Sequence, residues 1–210
     1  MEALLILIIA EIISIISVIF IMDLSPMNIT MFLVIFCVFI SPMITLHLND
    51  ILIRIYIKIK KYKRAIKLLN VKLSILTSRK ANGILFNLIP LYFKINDING
   101  AKNYLEQMDF LTIKNKVLKG YYYILMAYLN FKLENYKLVE EHIISACNYD
   151  EIKTLKDIDL MRCGVLVKEG KTEEAKVIFD KMPINTSDYI EPIDDLYTEL
   201  KDFFNNNYKK

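Results

Sequence analysis

Few side chains in this 210-residue chain can do chemistry, and their spacing builds no familiar reactive centre. The histidines are His47 and His142, the cysteines Cys37, Cys147 and Cys163, and no two of them share a metal-ligand spacing. His142 and Cys147 fall on one predicted helix about 140° round from each other, a poor arrangement for a nucleophile and its base. No glycine-rich phosphate loop, HExxH or GxSxG occurs. The paired acids Glu140-Glu141, Glu173-Glu174 and Asp194-Asp195 read as solvated faces. Neither an enzyme nor a bound metal or cofactor is therefore expected. An odd cysteine count, with Cys37 inside an apolar run, favours a reducing compartment over a disulfide framework.

One acid stands out by its surroundings. Glu11 lies near the middle of residues 3–22 (ALLILIIAEIISIISVIFIM), a run of the roughly 20 apolar residues that a helix needs to cross a bilayer. Residues 29–48 (ITMFLVIFCVFISPMITLHL) form a second run. The short link DLSPMN, with Pro26 and Asn28 as helix breakers, makes the two spans antiparallel neighbours. Residues 1–49 thus read as a transmembrane hairpin. A cleaved signal peptide would need a basic start and a small-residue cleavage site, but the chain opens Met1-Glu2 and no such site precedes Asp23.

Small and hydroxyl residues stripe both spans, Ala3, Ala10, Ser14 and Ser17 on the first and Thr30, Cys37, Ser41 and Thr45 on the second. Such stripes let helices approach closely in lipid, and they also offer a route to homo-oligomers through the hairpin. Antiparallel pairing sets Glu11 level with Ser41. A charge at that depth costs on the order of 3 kcal/mol. Glu11 is either protonated and hydrogen-bonded to Ser14 or Ser41 as a structural element, or it is an ion site or a polar clamp between subunits.

Charge fixes the orientation. The first 53 residues hold no Lys or Arg, while the rest of the chain carries all 27, for a net charge of +7 beyond residue 53. Arg54, Lys58, Lys60, Lys61, Lys63 and Arg64 crowd the segment after the second span, and DLSPMN has no basic residue. The positive-inside rule places both termini in the cytoplasm, in a two-span protein of the cell membrane. The same cluster is expected to attract anionic headgroups. No aromatic-basic RNA-binding motif accompanies it, so nucleic acid is not an expected partner.

Lysines also recur at a fixed interval. The segments YIKIKKYKRAIKLL (56–69), YFKINDINGAKNYL (92–105), NFKLENYKLVEEHI (130–143) and LVKEGKTEEAKVIF (166–179) align, each with a lysine, a short polar turn and a small residue that heads a helix. The lysines are Lys58, Lys94, Lys132 and Lys168, and the small residues are Ala65, Ala101, Val139 and Ala175, spaced 36, 38 and 36 residues apart. Four residues on stand Leu69, Leu105, Ile143 and Phe179; twelve residues upstream stand Ile53, Ile89, Ala127 and Cys163. The stretch ILIRIYIKIK alternates like a strand, but this register assigns it to a helix.

The repeated segments resemble tetratricopeptide (TPR) repeats, helix–turn–helix units of about 34 residues. The likeness covers roughly residues 50–184 and is clearest over 120–150 and 159–182. It departs from the family pattern by long spacing and by valine at 139. It implies an all-α fold: the two-helix hairpin, an α-solenoid of about four helix pairs over 50–187, and a capping helix with a polar tail over 188–210. Asp188, Glu191 and Pro192 mark the expected start of that last helix.

The resemblance further implies a concave groove lined by the first helix of each pair. It would present Phe86, Phe93, Tyr121, Ile124, Tyr128 and Phe131 with Lys94, Lys132 and Lys168 to a protein or peptide partner. The plainer alternative makes the aromatics inter-helix core and the lysines complements to helix dipoles. The expected function is a membrane-anchored scaffold or adaptor at the inner face of a bacterial-type membrane. The rival is a small membrane-active accessory or immunity-type protein working through the hairpin and Glu11.

Overall fold

The computed structural model describes residues 41–75, 78–149, 156–182 and 192–208, and side chains at 41–46 and 78–80 lie outside that description. The whole of the first predicted span, with Glu11 and Ser14, and most of the second lie outside the described residues, as does the Ser41 side chain. Among the described residues the chain is all-α. It forms α1 (Ser41–Lys58), α2 (Tyr62–Ile75), α3 (Ser78–Lys94), α4 (Ile98–Glu106), a 3-10 turn (Phe110–Thr112), α5 (Lys116–Lys132), α6 (Tyr136–Ala146), α7 (Lys156–Lys168), α8 (Thr172–Phe179) and α9 (Asp194–Tyr208). No helix among them is long and apolar enough to cross a membrane. Two compact units divide between Lys72 and Leu73.

In the first unit, α1 passes through the expected boundary at residues 49–50 without a break and keeps ILIRIYIKIK helical as far as Lys58. Ile53, Ala65, Ile66 and Leu69 are buried, and Lys72 of α2 pairs with Asp50 of α1. In the second unit, α3 packs on α4, α5 on α6 and α7 on α8, while α5 also meets α3, α4 and α7.

The turn after α1, α3, α5 and α7 is the same each time. Lys60, Asn96, Glu134 and Gly170 adopt φ of 57°, 58°, 61° and 79°. The N–H of each donates three residues back, to the carbonyls of Ile57, Phe93, Phe131 and Val167. The next N–H reaches five residues back, to Tyr56, Tyr92, Asn130 and Leu166. This pair of bonds is a Schellman cap, which satisfies the last carbonyls of one helix while a left-handed residue reverses the chain. So tight a reversal forces the second helix onto the first, and the contact must be close. Ala65, Ala101, Val139 and Ala175, four residues into each second helix, are all fully buried. Ile53, Ile89, Ala127 and Cys163, the upstream positions of the same register, are buried too. In the last pair the two meet directly, with the Cys163 thiol donating to the Ala175 carbonyl at 3.3 Å. Burial pushes that thiol up to about 12.

The last helix differs from its expected bounds. It begins at Asp194, after a turn at Pro192–Ile193, and it continues through the asparagines expected to form a polar tail. Tyr208 gives those residues a reason to stay helical, because its hydroxyl donates to Glu173 of α8 at 2.8 Å. Ile193, Leu196, Tyr197, Leu200 and Phe204 are all buried. The Phe179 ring lies 5.5 Å from that of Tyr197 and 4.9 Å from that of Phe204. Gly164 permits the approach of α9 to α7: a methyl group there would stand 3.0 Å from the Phe131 ring and 3.3 Å from Leu196.

Candidate functional site

The recurring lysines occupy the last turn of α1, α3, α5 and α7, two residues before each left-handed turn residue. There an ammonium complements the negative end of the helix dipole. In the second unit two of them do more. Lys94 Nζ lies 2.7 Å from both carboxylate oxygens of Asp194 and 2.8 Å from Asp195 Oδ1, with its side chain only 5 % exposed. Lys132 Nζ lies 3.4 Å from Glu199 Oε1 and 5.4 Å from the Tyr128 ring centre. Lys168 is exposed. The lysines at the ends of α3 and α5 therefore hold successive turns of α9.

Electrostatics fit this placement. Burial disfavours the Lys94 ammonium, but the hydrogen bonds it donates to Asp194 and Asp195 outweigh it and hold the pKa above the ordinary lysine range. Tyr128 is 1 % exposed, and burial, with the charges of Glu199, Asp195 and Asp194, pushes its phenol well above its usual value.

The expected groove is consequently not an open surface. Phe86, Phe93, Ile124, Tyr128 and Phe131 are buried. Phe86 lies against half-buried Tyr121 at 5.7 Å between ring centres, and Phe93 meets Tyr128 edge-on at 5.0 Å. These aromatics join neighbouring helices, as the plainer alternative has it, and Lys94 and Lys132 are occupied by the chain's own last helix. The reading of Asp194 and Asp195 as a solvated face is corrected likewise: both bind Lys94. Glu199 carried no signal in the sequence beyond lying four residues after Asp195, one turn along the same helix face.

Elsewhere, Glu140 of the first acidic pair is held by Arg162 of α7 at 2.7 Å, and Glu173 of the second accepts from Tyr208. In the first unit Arg54, Lys58, Lys60, Lys61, Lys63 and Arg64 are all exposed, with the Arg64 guanidinium 5.9 Å above the Tyr56 ring. A shallow groove between α4, α5 and α6 is lined by Leu105, Tyr122, Met126, Leu129, Leu138 and His142. Burial lowers the His142 pKa, partly opposed by Glu141. Among the described residues no three His, Cys, Asp or Glu side chains are placed to hold a metal ion. Comparison of the chain with protein-family models, with curated proteins and with solved structures finds no match.

Proposed function

We propose that the chain is a membrane-anchored cytoplasmic scaffold whose TPR-like helix pairs form an α-solenoid and hold a protein partner at the inner face of the membrane. The observation that carries this reading is the fourfold turn, with its left-handed residues Lys60, Asn96, Glu134 and Gly170 and the buried small residue that follows each. Units that repeat a turn and a close helix contact stack into extended surfaces, and such surfaces serve binding more readily than catalysis. The tether is supported by the two apolar runs and by the basic residues that begin at Arg54.

The continuity of α1 refines the role of that basic cluster. If the second span ends at Leu48, the ten further residues of helix carry Lys58 about 15 Å onward. Against a Debye length of about 8 Å, Arg54, at about 9 Å, meets the headgroup field more strongly than Lys58 to Arg64, which chiefly fix orientation.

Direct use of the lysine groove by a partner is costly. Displacing α9 exposes Ile193, Leu196, Tyr197, Leu200 and Phe204, each worth about 1.5–3 kcal/mol as an upper bound. A partner that had to open the groove would lose that much affinity. Lys94 and Lys132 therefore act as a clasp, and the partner uses surface that α9 leaves open. The test is affinity purification of the full chain from its native membrane in mild detergent, with mass spectrometry of what remains bound. A stoichiometric second protein supports the scaffold. A complex of the chain with itself alone overturns it, moves the activity into the hairpin and makes Glu11→Gln the informative variant.

A further inference from the structure

The connection between α4 and α5 is apolar at its tip and basic on the side that leads into α5. Leu111, in the 3-10 turn, is 88 % exposed, the most exposed large apolar side chain among the described residues. Val117 and Leu118, in the first turn of α5, are 41 % and 37 % exposed. Lys114 and Lys116 are exposed between them, and Lys119 follows with its ammonium 5.1 Å above the Phe110 ring. No acid occurs from Phe110 to Leu133. Asp109, just before, is exposed, and its carboxylate caps the turn by accepting from the Leu111 N–H at 3.1 Å.

The connection is also built to hold its shape. Asn82 Nδ2 donates to the Asp109 carbonyl at 3.0 Å and to Thr112 Oγ1 at 2.8 Å, and Thr112 Oγ1 donates to the same carbonyl. Asn115 caps α5 through the N–H of Val117, and Ile113 is buried beneath. A single exposed leucine needs no explanation. A rigid segment that fixes three apolar side chains in water, among three lysines and with no acid of its own after Asp109, has the composition of an interfacial membrane contact: apolar groups for the acyl boundary and cations for anionic headgroups.

We infer that the segment from Phe110 to Lys119 is a second membrane contact, in which Leu111, Val117 and Leu118 enter the interface of an anionic bilayer and Lys114 and Lys116 meet its headgroups. The inference rests on the membrane tether proposed above, because one weak patch binds durably only on a chain already held at the surface.

The chain contains no tryptophan, so Leu111→Trp supplies a single emitter at an exposed site. Full-length chain carrying Leu111→Trp is placed in nanodiscs of phosphatidylcholine and phosphatidylglycerol, with and without brominated acyl chains. Val177→Trp, exposed on α8, serves as the comparison. A ring about 5–10 Å into the headgroup and acyl boundary is expected to lose at least about half its emission to bromine. Lys114→Glu with Lys116→Glu should abolish that loss, Val117→Trp should reproduce it, and Val177→Trp should show none. A water-like, unquenched Leu111→Trp emission in a chain that stays in the disc overturns the contact and leaves the tether standing. A blue-shifted emission that bromine does not quench means that protein covers the patch, and it also overturns the contact. A chain that the disc does not retain overturns the tether, and the contact with it.

Discussion

Lys94 Nζ and the two carboxylate oxygens of Asp194 lie 2.7 Å apart across one hundred residues of chain, with Asp195 closing on the same nitrogen. The last turn of α3 thereby fixes the first turn of α9. A lysine that is 5 % exposed is tolerated only because its charge is met on the spot.

Removing both charges with Asp194→Asn and Asp195→Asn should therefore loosen α9. An uncompensated buried ammonium costs about 3–5 kcal/mol, but these aspartates are 28 % and 50 % exposed, so water screens the loss and about 1–2 kcal/mol is expected. Amide exchange over residues 194–208 in the full chain should quicken about 5- to 30-fold. Adding Lys94→Met removes the stranded charge at similar volume and should restore most of the protection. Unchanged exchange in the double asparagine variant would show that the clasp contributes nothing. The pH sign on the alkaline side follows from the raised Lys94 pKa: the clasp is complete at neutral pH and weakens as pH climbs through that raised value.

The helices and the turns between them were legible in the sequence because their causes are local. A tight reversal demands a small residue four places into the next helix, and the recurrence of Ala65, Ala101, Val139 and Ala175 carries that demand in the residue types themselves. The clasp was not legible. Lysines and acids one hundred residues apart share only opposite sign, and sign does not choose between water and a partner. The aromatics left two readings open for a related reason. Periodicity places Phe93 and Tyr128 on helix faces, but whether a face turns to a groove or to the next helix depends on packing that periodicity does not encode. The end of α9 was missed because the bond that extends it, Tyr208 to Glu173, is tertiary.

The repeated turn makes its own prediction. Left-handed backbone costs about 1–2 kcal/mol for a residue with a Cβ and almost nothing for glycine. The last turn uses Gly170, while the one before it uses Glu134 at φ 61°. Glu134→Gly should stabilise the second unit by roughly 0.5–1 kcal/mol and Gly170→Ala should destabilise it by about 1 kcal/mol. No atom lies within 4 Å of a methyl group added at Gly170, so that loss would be backbone strain alone. Chemical denaturation of the full chain in detergent, followed by circular dichroism, reads both. A destabilising Glu134→Gly would mean that its carboxylate does more than the backbone there.

His142 carries the acid-side prediction. It sits on α6 beside the shallow groove, its ring centre 6.3 Å from that of Tyr123, and burial lowers its pKa below the free value of 6.5. The folded protein then holds fewer protons on this histidine than the unfolded chain does wherever the two forms differ. Stability from His142 is thus fully present above the unfolded pKa and drains away as pH falls through the lower, folded one. Protonation places a charge against Tyr123 and loosens the packing of α6 on α5. The denaturation midpoint should fall between about pH 7.5 and pH 5.5, and His142→Gln, which cannot titrate, should flatten that fall. Carboxylates shared by both chains cancel in the comparison. A glutamine variant that tracks the parent chain across the whole range would remove His142 as the cause and return the acid sensitivity to the ion pairs.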